Sequence, residues 1–153
     1  MPLPITLIRQ PIRQWVMSAP FWYAVLACCL VVLGFLSLNP WFRPASREGI
    51  FSPDKLEHAL AYGGVAIIAF LCLTTARNGS MASQASMHNT ARAWITALSF
   101  SALVGIAMEF AQSLLTVNRT GSVADAIANA IGAALGFVAY QAVKTIRAKI
   151  AHR

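Results

Sequence analysis

The stretch Ala93–Val117, AWITALSFSALVGIAMEFAQSLLTV, is an apolar run of membrane-spanning length that holds one ionisable side chain, Glu109. A bilayer core about 30 Å thick is crossed by about 20 mainly apolar residues of helix. An acid inside such a segment costs at least ~2.5–3.5 kcal/mol on insertion scales, so it is rare and has a partner or a task. The stretch therefore predicts a transmembrane helix and, within it, a polar site.

Three similar runs flank it. They are Phe21–Leu38, Lys55–Thr75 and Val123–Val143, beside a spanning core here taken as Ala93–Leu115. Of the 153 residues, 58% are hydrophobic and 11% charged. A soluble domain carries roughly 25% charged residues. The predicted fold is all-α, a polytopic bundle of four transmembrane helices with both termini cytoplasmic. Residues 1–20 read as an amphipathic basic segment, 21–146 as the transmembrane domain and 147–153 as a basic cytoplasmic tail.

A net charge of +7 would suggest nucleic acid in a soluble protein; here topology accounts for it, and no nucleic acid is expected. Four spans put both termini on one side, with Arg9, Arg13, Arg77, Arg92, Lys144, Arg147, Lys149 and Arg153. The other side has Arg43, Arg47, Lys55 and Arg119 together with all five acids. The richer basic side is expected to be cytoplasmic by the positive-inside rule. Trp15, Trp22 and Trp94 are expected in the inner aromatic belt, and Trp41 with Phe42 in the outer one.

The apolar run after Arg9 and Arg13 is too long for a signal-peptide core, and Ser37-Leu38-Asn39-Pro40 is not a cleavage site, so the reading is a retained anchor. Cys28, Cys29 and Cys72 read as small packing residues, not a disulfide or metal set. The polar stretch 77–90 reads as a mobile cytoplasmic loop with His88 solvated. Ser52-Pro53-Asp54 and Ser122-x-x-Asp125 have the form of helix starts. Gly132 and Gly136 make a GxxxG pair for close helix packing, and Gly63-Gly64 allows a similar contact.

Helical spacing gathers the remaining polar residues. Asp54, His58 and Tyr62 recur every four positions, with Lys55 beside them; Glu109 and Gln112 share a face; Asp125, Asn129, Gly132 and Gly136 form a stripe. Arg119 lies in the turn between the last two helices. Asp54 and Asp125 also read as plain helix-start residues, and Asn129 as an interhelical hydrogen bond. Glu109 is the hardest to dismiss, because an ionised carboxylate there needs a cation from Arg119, Lys55 or His58.

Asp54-Lys55-x-x-His58-x-x-x-Tyr62, then Glu109-x-x-Gln112, then Arg119, Asp125, Asn129 and Gly132, resembles the VanZ-like family over roughly Ser52 to Phe137. The turn departs from it, with Val117-Asn118 where the family has Pro-Gly. The resemblance implies a small polytopic membrane protein whose founding member is linked to teicoplanin resistance, and it brings no established reaction.

Three functions follow as expectations. The cluster engages a lipid headgroup, a lipid-linked cell-envelope intermediate or a lipophilic antibiotic, with Arg119 and Lys55 holding phosphate or carboxylate. Alternatively, it is an intramembrane acid–base site with His58 and Glu109 as the candidate catalytic pair and Asp54 orienting His58. In the third reading it is a polar clamp that supports a membrane partner or oligomer. No cofactor is expected. The set Asp54, His58, Glu109 and Asp125 has residue types that suit divalent metals but no diagnostic spacing, so no metal is assigned.

Overall fold

The computed structural model describes residues 18–39, 53–78, 86–116 and 122–151. The amphipathic N-terminal segment, Trp15, Trp41, Phe42 and Arg119 lie outside them. The described residues form four helices and no strand: α1 (Ala19–Leu38), α2 (Pro53–Asn78), α3 (Ser86–Leu115) and α4 (Val123–Ala151). All four are long and apolar enough to cross a membrane.

Local chemistry sets the boundaries. Asn39 ends α1, its N–H donating to Phe35 O at 3.0 Å in an extended conformation suited to the following Pro40. Pro53 is the first residue of α2, where its missing N–H is no loss. Ser122 caps α4: its Oγ accepts the Asp125 N–H at 3.1 Å, and its carbonyl accepts the Ala126 N–H at 3.1 Å. Thr74 and Thr75 return their hydroxyls to Phe70 O and Leu71 O at 2.9 and 2.6 Å, which satisfies them inside an apolar helix.

One sequence boundary is corrected. Arg77 and Asn78 belong to α2 and Ser86–Thr90 to α3, so both ends of the expected loop 77–90 are helical, His88 included, and residues 79–85 lie outside the described residues. α4 runs on through the basic segment as far as Ala151. A helix need not stop at the membrane surface: the 29 residues of α4 extend about 44 Å at 1.5 Å each.

α2 is the central helix, touching the other three; α4 packs on α2 and α3, and α1 lies against α2 and, less, α3. α2 and α4 meet backbone to backbone. A Cβ on Gly132 would lie 2.1 Å from Ala59 O, and one on Gly136 2.5 Å from Gly63 O. A Cβ on Gly63 would lie 2.7 Å from Gly132 O, whereas Gly64 has nothing within 4 Å. The predicted packing stripe is thus used within the chain, with Gly63 as its counterpart.

At one end of the bundle an aromatic core forms. Phe70 and Trp94 stack at 3.9 Å, and Phe137 and Tyr140 meet Trp94 edge-on at 4.9 and 5.3 Å. Trp94 is 4% exposed, which corrects its expected place in an interfacial belt. Three aromatic neighbours bury it more fully than an interface would. Leu103, Ile106, Phe110 and Leu114 of α3 and Ile127, Ile131 and Leu135 of α4 point outward. Such a broad apolar surface suits lipid.

Candidate functional site

The other end of the bundle brings together the first turns of α2 and α4 and the last turns of α3. Asp54 and His58 stand one turn apart on α2, with His58 Nε2 3.8 Å from Asp54 Oδ1. From α4, Asn129 Oδ1 lies 3.0 Å from His58 Nδ1. From α3, Glu109 Oε1 lies 3.7 Å from the same nitrogen. Both neighbours of Nδ1 are acceptors, so Nδ1 carries a proton and donates it to Asn129. His58 Nε2 then faces the Asp54 side.

Glu109 is 7% exposed. Its Oε2 accepts the backbone N–H of Ser122 at 3.1 Å. The carboxylate of α3 therefore sits on the N-terminus of α4, where unsatisfied N–H groups and the helix dipole favour a negative charge. Sequence reasoning sought a cation for Glu109 among Arg119, Lys55 and His58; His58 does lie beside it, and the Ser122 N–H was missed because a backbone N–H leaves no mark in side-chain identity. In a capping box the third residue accepts that N–H. Here Asp125 instead accepts the Ser122 hydroxyl at 2.8 Å.

Asn129 is 1% exposed and lies on Gly105, where a Cβ would be 2.8 Å from its Nδ2. Gly105 was not singled out from the sequence, although it stands one turn from Glu109. Tyr62 is buried one turn below His58, the rings near parallel at 6.3 Å. Its carbonyl accepts the buried Ser101 hydroxyl at 2.8 Å. Gln112, expected in the cluster, turns away: its Nε2 donates to Ser37 O at 3.3 Å and, more closely, to Ser37 Oγ. It joins α1 to α3. Ser37 and Ser101 carried no spacing signal, being single hydroxyls in apolar runs. Lys55 is half-buried at the start of α2.

The described site thus combines a nearly buried imidazole, a buried carboxylate, a buried amide and two half-exposed carboxylates, Asp54 and Asp125. One ligand atom each from Asp54, His58 and Asp125 lies within 4.8 Å of the others. Such a set can hold a cation, orient a headgroup or move a proton.

These features define a polytopic four-helix bundle of membrane-spanning composition with a histidine–carboxylate–amide site at one end. The VanZ/LLP1 family model matches residues 21–144, most of the chain, and the chain belongs to that family. The match includes every described member of the cluster. No curated protein and no solved structure matches the chain.

Proposed function

We propose that this VanZ-like protein acts in the bacterial inner membrane, with both termini cytoplasmic. Its outward polar site engages the headgroup of a membrane lipid or lipid-linked envelope intermediate, and a lipoglycopeptide such as teicoplanin would use the same site. The observation that carries this reading is the graded opening of the cluster. His58, Glu109 and Asn129 are buried or nearly so, while Asp54 and Asp125 widen the site toward the end of the bundle, the end a headgroup would reach first. His58 lies only about 7.5 Å along α2 from Pro53, at 1.5 Å per residue. Lys55, at the start of α2, would hold phosphate or carboxylate; Arg119, expected in the same role, lies outside the described residues.

The test is lipid binding by the purified chain in detergent. His58→Asn and Asn129→Ala should stay helical and monodisperse yet bind short-chain anionic lipid at least tenfold more weakly. Equal binding by folded variants would sink the reading. Orientation is checked separately: a cysteine in place of Asn118 should react with an impermeant reagent from outside the cell, not from the cytoplasm.

A second reading is favoured by one geometry, the imidazole of His58 set between Asp54 and Glu109 at 3.8 and 3.7 Å. That arrangement suits acid–base chemistry on a lipid-linked substrate. Turnover of such a lipid by purified protein, lost in Glu109→Gln, would establish it.

A further inference from the structure

Two features of the group Asp54, His58 and Asp125 separate it from a chance cluster of acids. The first is the aim of the histidine. Nδ1 is engaged by Asn129 Oδ1 at 3.0 Å, so Nε2 is the nitrogen turned toward Asp54 Oδ1, at 3.8 Å. That gap is too long for a hydrogen bond. Two donors placed about 2.0–2.2 Å from one ion stand roughly 3–3.6 Å apart. Small rotations of Asp54 and Asp125, both in the first turns of their helices, would therefore close the three ligands on an ion. Asp125 gives one oxygen, Oδ2, to the Ser122 hydroxyl and keeps the other for this role.

The second feature is Asn129. It is 1% exposed, aims its Oδ1 at His58, and leaves its own Nδ2 buried without a hydrogen-bond partner among the described residues. A buried donor without a partner is costly, because it has given up its hydrogen bonds to water. A contact kept at that cost positions the imidazole more than it stabilises the fold. A ligating histidine typically donates its other ring N–H to such an outer partner, which sets tautomer and ring direction.

We infer that Asp54, His58 Nε2 and Asp125 bind one divalent transition-metal ion, oriented by Asn129, with open positions for a phosphate oxygen. Mixed imidazole and carboxylate ligands suit Zn²⁺ or Mn²⁺ better than Mg²⁺. Glu109 stays outside the ligand set, held on the Ser122 N–H. The ion resolves a tension in the site: three carboxylates would repel an anionic headgroup, whereas an ion bound between two of them attracts its phosphate. The phosphate part rests on the headgroup reading above; the metal part does not.

The experiment uses the full chain, stripped with chelator and held in a phosphate-free maltoside detergent. Titration with ZnCl₂ or MnCl₂ alone should give one equivalent per chain. His58→Ala should abolish binding, Asp54→Asn and Asp125→Asn should weaken it at least tenfold, and Asn129→Ala should weaken it about 10–100-fold. Asp54 stands half-exposed at a helix start, so Asp54→Asn tests the ligand set in a variant that folds. Folded wild-type protein that takes up no metal, or uptake indifferent to His58→Ala and Asp54→Asn, overturns the site.

Inorganic phosphate and short-chain phosphatidic acid are then added in turn. Metal-dependent binding supports the bridge, tighter for the lipid if a headgroup is the source and tighter for inorganic phosphate if a free anion is. Lipid binding unchanged by chelator overturns the bridge and leaves the headgroup reading standing. Metal uptake with neither phosphate bound overturns the headgroup reading and leaves the metal site standing.

Discussion

Glu109 of α3 and Ser122 at the start of α4 are joined across the bundle, the carboxylate Oε2 accepting the Ser122 backbone N–H at 3.1 Å. The bond turns an acid in a membrane-spanning helix into the N-terminal anchor of its neighbour. A side chain that keeps an acceptor should preserve the anchor. Glu109→Gln is expected to lower thermal stability in detergent by less than half the loss caused by Glu109→Ala. The alanine strands a helix-terminal N–H, at a cost of about 1–3 kcal/mol. Equal losses for the two would show that the bond does not hold α4.

The α2–α4 interface should discriminate glycines by position. Gly132→Ala forces a Cβ to 2.1 Å from Ala59 backbone, which cannot rotate away as a side chain would, so the helices must separate. Overpacking of this kind costs typically about 1–3 kcal/mol or more. Gly64→Ala meets nothing within 4 Å and should be neutral or slightly stabilising, since alanine favours a helix. Unfolding of both variants in one detergent checks the contrast.

His58 and Asn129 are hydrogen-bonded across 71 positions of chain. A double-mutant cycle with His58→Ala and Asn129→Ala is expected to return a coupling of about 0.6–1.7 kcal/mol, the range measured for interhelical hydrogen bonds in membranes. No coupling would mean the two side chains do not interact in the folded bundle.

Trp94 fills the aromatic end, and its indole N–H is buried without a hydrogen-bond partner among the described residues. Trp94→Ala should cost about 3–5 kcal/mol through the cavity left between Phe70, Phe137 and Tyr140. Trp94→Phe keeps an aromatic surface and removes the unsatisfied donor, so its loss should be less than half as large. Equal melting losses would place the tryptophan outside the core.

Much of the site was legible because helical spacing is rigid. Asp54 and His58 had to share a face of α2, and Asp125 and Asn129 a face of α4. The apolar runs also marked all four helices. Gln112 shows where spacing stops. Three residues from Glu109 and on nearly the same face, it reaches Ser37 of α1, because a long amide follows the nearest open acceptor. Trp94 shows the same for composition: a tryptophan near a membrane boundary reads as a belt residue until its neighbours are known.

By itself the sequence determined that this is a four-helix membrane chain, that its acids gather toward one end, and that small residues line one face of α4. Those properties follow from solvent preference and helical period, which are local. Only the tertiary structure decided that Glu109 anchors α4 through a backbone N–H, that Asn129 aims His58, and that Asp54, His58 and Asp125 converge. These are relations between helices; Gly63, Gly132 and Gly136 let α2 and α4 approach closely, and Gly105 lets Asn129 lie against α3. An approach of a few ångströms between two backbones has no signature in either helix alone.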